Sequence, residues 1–236
     1  MIGKPGFGVQ FGTRRRAFVC FMAIALSTML MLVVCGGDGN PSKPGNNGGG
    51  GSTFTDSRDG KTYRTVVIGT QTWMAENLNF DASGSVCHGN EQSNCDIYGR
   101  LYDWTTVMNG AASSSASPSG VRGICPAGWH VPSDAEWEVL VNYAGGELTA
   151  GTKLKSRSGW DNGGNGSDDY GFSAFAGGSK GDFSLVGSTG FWWSATEFFP
   201  GTPFTYLRYM RWDNDNVYRT GTANWDEFYS LRCLRD

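Results

Sequence analysis

Histidine is almost missing from this chain: His88 and His130 are the only two in 236 residues. So few imidazoles weigh against a metal centre built on them. No serine–histidine–aspartate arrangement, phosphate-cradling loop or dinucleotide fingerprint occurs, because the glycine-rich runs lack the strand-to-helix context those motifs need. No repeat of fixed period is present either, which leaves out solenoids and propellers. Basic residues are sparse beyond the start of the chain. The first 34 residues hold four of the 19 Lys and Arg and none of the 22 Asp and Glu, so the remainder carries a formal charge of −7. An acidic body of that kind does not suit nucleic acid or anionic lipid.

What is there begins with an export pattern. Arg14, Arg15 and Arg16 precede an apolar run from Ala17 to Val34, so residues 1–34 read as an export signal peptide. Leu32 to Cys35, Leu-Val-Val-Cys, resembles a bacterial lipoprotein processing site, which implies cleavage before Cys35 and lipidation there. Left uncleaved, the run of 18 residues is just long enough to stay as an anchor, so both outcomes tether the protein to a membrane. Gly36 follows the lipid cysteine where an aspartate would retain a lipoprotein at the inner membrane. The resemblance therefore implies an outer-membrane lipoprotein of the cell envelope, facing periplasm or cell surface. Residues 36–52, GGDGNPSKPGNNGGGGS, offer no side chain for a core and read as a solvated spacer, so residues 35–52 form the lipidated N-terminus and linker. Residues 53–236 are long enough for one domain with a substantial core.

That domain contains four cysteines, Cys87, Cys95, Cys125 and Cys233, and an oxidising compartment makes two disulfides the expectation. Three connectivities exist. Cys87–Cys95 with Cys125–Cys233 is favoured, one closing the local loop CHGNEQSNC and the other pinning the chain end to its middle. The rival is a zinc site from Cys87, His88, Cys95 and His130.

Residues 133–136, Ser-Asp-Ala-Glu, form a capping box, and Trp137, Leu140, Val141 and Ala144 recur at helical spacing up to Gly145. A second helix is predicted within YGRLYDWTTVMNG, residues 98–110, with Leu101, Trp104, Thr105 and Met108 on one face and a stop at Asn109-Gly110. Elsewhere the pattern is strand and turn. KTYRTVVIG and QTWMAENL make a hairpin, and FWWSATE, TYLRYMRW, NVYRTG and YSLRCLR are bounded by turn residues as strands of an antiparallel sheet. Residues 111–120 read as a polar surface excursion.

Six ordered blocks carry a family likeness: DGKTYRTVVIGTQTWMAENLNF, YGRLYDW, CPAGWHVPSDAEW, GFSAFAGG, FWWSATE and SLRCLRD. Together they resemble the Fibrobacter succinogenes major paralogous domain family. HVPSDAEWEVL and the closing Arg-Cys-Leu-Arg are also similar to the larger formylglycine-generating-enzyme group. The resemblance implies an α+β fold of irregular C-type-lectin-like form, with two main helices, short antiparallel strands and long loops. It further implies that the chain ends meet in one sheet, which fits a Cys125–Cys233 bridge. Copper-dependent oxidation by that enzyme group needs a reactive cysteine pair, and the late block here holds only Cys233.

Candidate chemistry is thin. Cys125 and His130 form a thiol–imidazole pair on paper, yet the intervening prolines and the oxidising compartment favour a structural role. In DNGGNGSDD, Asp161, Asn165, Asp168 and Asp169 offer oxygen donors of the sort calcium takes as a structural ion, while the same residue types also make ordinary turns. WDNDN, residues 212–216, looks superficially like a lectin calcium motif but reads better as a turn between two strands. Nine tryptophans and 14% aromatic residues point to stacking on sugars or to core packing. If FWWSATE is a strand, Trp192 and Trp193 face opposite ways and one is core. Trp193, Phe199, Trp212, Asp213, Tyr218, Trp225 and Asp226 are the candidate ligand-contacting residues. No catalytic residues and no cofactor beyond that calcium are expected. The leading expectation is a tethered, non-catalytic binding or adhesion module for glycan or a surface protein. A structural envelope lipoprotein is the alternative, and a polysaccharide hydrolase using Asp213 and Asp226 a third.

Overall fold

The computed structural model describes residues 52–181 and 185–236. The expected signal peptide, the lipidation of Cys35 and nearly all of the linker lie outside the described residues. Among the described residues no helix is long and apolar enough to cross a membrane.

The domain is α+β, with ten short strands and four helices. In chain order these are β1 (Thr53–Thr55), β2 (Thr62–Ile68), β3 (Gln71–Met74), α1 (Gln92–Tyr98), β4 (Leu101–Tyr102), α2 (Trp104–Met108) and β5 (Trp129–His130). Then follow α3 (Asp134–Tyr143), α4 (Ala150–Leu154), β6 (Thr189–Glu197), β7 (Phe204–Arg211), β8 (Val217–Asn224), β9 (Tyr229–Ser230) and β10 (Leu234–Arg235). They form two sheets, ordered β1-β2-β3-β10-β5 and β4-β9-β6-β7-β8. Pairing is antiparallel except for one parallel bridge between Trp192 and Ser230. The first and last strands share the first sheet, so the two ends of the domain meet as expected.

Helix α3 forms as its sequence dictates. The Glu136 N–H donates to Ser133 Oγ at 3.2 Å and the Ser133 N–H to Glu136 Oε2 at 2.9 Å, completing the capping box. The predicted second helix is shorter than its periodicity implies. Leu101 and Tyr102 are a strand paired with Tyr229 and Ser230, and the helix starts at Trp104 because Asp103 takes the N-cap, accepting from the Thr106 N–H at 2.6 Å. It ends at Asn109 in the left-handed region, where an asparagine tolerates φ 48°. Helices α1 and α4 were not expected; α1 buries only Cys95, so no apolar face announces it.

Strand β6 divides the core. Trp192 packs with Trp73, Trp137, Phe172 and Met210, while Trp193 packs with Tyr102, Trp104, Leu207 and Leu231. Both tryptophans are 0% exposed, so the second sheet is covered on both faces at β6. The expectation that one of the two is core understated the burial, since each contributes roughly 4–6 kcal/mol by area.

Between the sheets lies Arg232, 0% exposed. Its Nη2 and Nε donate to Asn77 Oδ1 at 2.8 and 3.2 Å, and it also reaches the Phe172 and Ser173 carbonyls. Asn77 Oδ1 accepts in addition from Trp192 Nε1 at 2.9 Å, while its amide donates to the Tyr98 carbonyl at 2.8 Å and to Ser230 Oγ at 3.2 Å. Burial pulls the Arg232 pKa down to about 9, still above neutrality.

Both expected disulfides are present, Cys87–Cys95 and Cys125–Cys233, with sequence separations of 8 and 108. Loop entropy makes the second the stronger constraint, about 4–5 kcal/mol against about 2–3 for the first. Denaturant unfolding of the paired Cys→Ser variants should therefore show a larger loss for Cys125/Cys233 than for Cys87/Cys95; equal losses would contradict the ranking.

Candidate binding surface

The cysteine–histidine segment at 125–136 is architecture. Cys125 is bonded to Cys233, and His130 lies between two carboxylates, with Nδ1 2.7 Å from Asp236 Oδ1 and Nε2 2.9 Å from Glu136 Oε1. Two carboxylate acceptors on one ring call for both N–H donors, so the arrangement suits the imidazolium. Burial alone would lower the His130 pKa; hydrogen bonds to Glu136 and Asp236 and their charges outweigh it and hold the value above normal. The remaining oxygen of Glu136 accepts from the Ser133 and Ser119 N–H groups. The cluster thereby clasps the C-terminal residue to the start of α3. With Cys87 and Cys95 joined to each other and His130 held elsewhere, the zinc alternative loses its ligands, and Cys125 offers His130 no thiol to activate.

The two Asp/Asn-rich loops satisfy themselves. Asn165 Oδ1 accepts from the Trp160 N–H at 3.0 Å, and Asp168 accepts from the Ser173 N–H at 2.7 Å and its hydroxyl at 2.6 Å. Asp161 and Asp169 are exposed, their N–H groups donating to the Gly187 and Lys153 carbonyls. Among the described residues no three His, Cys, Asp or Glu side chains gather into a metal-holding group. The expected calcium set is thus not assembled. At residues 212–216 the positive charge is supplied by Lys155, 2% exposed, whose Nζ donates to the Asn214 carbonyl at 2.9 Å and the Arg211 carbonyl at 3.3 Å. Burial lowers the Lys155 pKa, opposed by Asp215 and Asp213.

The predicted ligand-contacting residues fall in different places. Trp193 is wholly buried and presents no face to a ligand, a correction that follows from the covered second sheet. Trp212 is half-buried against the α3-side core, and Asp213 pairs with Arg211 at 3.0 Å. Tyr218 has one ring face taken by Tyr209, 4.7 Å away at 12°. Asp213 and Asp226 flank opposite ends of β8, eight residues long and therefore roughly 25 Å by strand rise. Glycosidase carboxylates stand about 5–9.5 Å apart, so these two are no such pair.

Phe199, Trp225 and Asp226 do share one end of the second sheet. The β6–β7 hairpin tip meets the end of β8 there: the Phe198 N–H donates to the Phe204 carbonyl, and the Trp225 N–H to the Pro203 carbonyl at 3.1 Å. Phe199 is 59% and Phe204 39% exposed. Phe198 contacts Phe199 at 4.2 Å and Tyr206 edge-on at 5.1 Å. Trp225 stacks on Trp104 at 4.7 Å and donates through Nε1 to Thr205 Oγ1 at 3.0 Å. Arg219 lies 3.8 Å over the Tyr206 ring, and Asp134 holds it in place while also pairing with Arg208, each at 2.8 Å. Phe198, Phe204, Tyr206 and Arg219 are additions to the expected set. The sequence signal for Phe198 and Phe204 was FFPGTPF, residues 198–204, where aromatics crowd a Pro-Gly turn; Tyr206 and Arg219 had none.

Gly221 makes room for this cluster, since a Cβ there would stand 2.1 Å from Phe198 Cδ2. Gly221→Ala should displace the ring and cost about 1–3 kcal/mol, visible as a lower melting midpoint with altered Phe198 contacts. For the His130 clasp, the folded pKa is raised, so its stabilisation is complete below the unfolded value of about 6.5 and lost as pH rises through the folded one. Unfolding midpoints from pH 5.5 to 9 should fall more steeply in the native chain than in His130→Gln; parallel curves would remove the clasp's contribution.

Residues 66–235, well over half the chain, match the family model described as the Fibrobacter succinogenes major domain. No curated protein and no solved structure matches it. With the sequence blocks and that match in agreement, the chain belongs to the Fibrobacter succinogenes major domain family.

Proposed function

We propose that this chain is an envelope-tethered, non-catalytic binding module of C-type-lectin-like form that recognises glycan through the aromatic end of its second sheet. The observation that carries the reading is the exposure of Phe199 and Phe204 beside Phe198, Tyr206 and Trp225. Large apolar rings gathered in the open, with polar groups at their rim, mark interaction sites. Arg219 and Asp226 supply that rim, and a sugar offers C–H faces to rings and hydroxyls to charged neighbours. The export pattern, the lipoprotein-like cysteine and the spacer support a module tethered in the envelope. First and last strands sharing one sheet, with a long-range disulfide pinning the late chain to its middle, support the lectin-like form.

A glycan array probed with the full chain in detergent should give specific hits. Phe199→Ala/Phe204→Ala should weaken them by about tenfold or more, about 1.4 kcal/mol, at an unchanged melting temperature. An array without specific hits, or hits indifferent to the double substitution, overturns the glycan reading, and retention of a cell-surface protein instead would favour the protein-ligand alternative.

A further inference from the structure

A cleft of about 700 Å³ lies far along the chain from the aromatic end, where the β1–β2 turn, the segment after β3 and the C-terminus of α2 come together. That volume falls within the range of small-ligand sites, roughly 300–1,000 Å³. One wall is a prefixed cation. Arg58 is clamped by Asp56, which is 1% exposed and accepts from Nε at 2.9 Å and Nη2 at 2.7 Å, while Nη1 donates to the Ile124 carbonyl at 2.8 Å. The guanidinium carbon sits 3.8 Å over the Phe80 ring, which fixes its plane. Of five N–H bonds, two have no acceptor among the described residues.

A second cation shares the cleft. Arg122 lines the same cleft, is exposed, and makes one long contact, Nε to the Cys125 carbonyl at 3.4 Å. Its Nη groups have no acceptor among the described residues. The local charges otherwise cancel, Arg58 with Asp56 and Arg100 with Asp81 at 2.9 Å, so Arg122 is the surplus positive charge. A donor-rich cleft with one surplus positive charge suits a small anion locally, against the body's formal charge of −7. Half-buried Phe80 and Ala82 give an apolar patch on the wall, while Asp81, 72% exposed in its side chain, and Asn109 offer partners for hydroxyls.

We infer that the Arg58–Phe80–Arg122 cleft is a binding site for an acidic sugar of the uronate type, its carboxylate on the two guanidinium groups and its ring against Phe80 and Ala82. Planar guanidinium groups pair with a carboxylate in two-point fashion, which a neutral sugar cannot exploit. The site is separate from the aromatic end and does not depend on it.

Calorimetric titration of the full chain in detergent micelles with sodium glucuronate tests this, with glucose and inorganic phosphate run alongside. Saturable glucuronate binding is expected, weakened about tenfold in Arg122→Ala and unchanged in Phe199→Ala, with glucose silent and phosphate weaker. Arg122 is exposed, so its loss should leave the melting temperature in place. Absence of saturation, indifference to Arg122→Ala, loss in Phe199→Ala, or phosphate binding as tightly as glucuronate would each overturn the assignment.

Discussion

The fold depends on a buried cation held without a carboxylate. Arg232 has lost its water to the core, and its hydrogen bonds go to oriented neutral oxygens, the Asn77 amide and the Phe172 and Ser173 carbonyls, with the Phe172 ring 4.2 Å from its guanidinium carbon. A buried charge left short of such partners is costly, so all three segments must arrive together. Asn77 follows the first hairpin, Phe172 and Ser173 belong to the loop preceding β6, and Arg232 precedes β10. The same amide oxygen takes the Trp192 indole N–H, which fixes the central strand against the hub. Three stretches remote in sequence are thereby set by one polar knot, and Cys233, the next residue, ties it to Cys125.

Around this knot the second sheet is packed on both faces at β6, so that strand's alternation places tryptophan inward twice. That has a functional consequence. Most of the aromatic residues are consumed by cores; Tyr143 on α3 is exposed, and a cluster of rings reaches solvent where the β6–β7 hairpin runs beyond both cores. The aromatic end is therefore a product of sheet length exceeding core length. Asp134, at the first helical position of α3, reaches that end through Arg208 and Arg219 and keeps a guanidinium flat on Tyr206.

The acidic loops follow a different logic. Aspartate and asparagine here turn the chain by accepting from nearby N–H groups, and the charge between the loops is a lysine ammonium. Lys155 joins the end of α4 to the β7–β8 turn through two carbonyls. Oxygen-rich composition alone does not separate a metal loop from such a turn, because both use the same side chains.

Local rules settled much of this protein from sequence alone. The capping box of α3, the Asn109 stop, the hairpin of β2 and β3, the turn between β7 and β8, and the local Cys87–Cys95 pair rest on neighbours in the chain and were readable, while Cys125–Cys233 was favoured among three connectivities and fitted the family resemblance. The start of α2 was misread because Leu101 and Tyr102 satisfy a helical period while a distant strand, β9, claims their backbone. Trp193 was misplaced because alternation says that adjacent side chains part and is silent on whether both sides are covered. Which aromatics emerge, which carboxylates hold His130, and where Arg58 and Arg122 converge were decided only by tertiary structure, since each depends on segments brought together by a core whose shape no local pattern encodes.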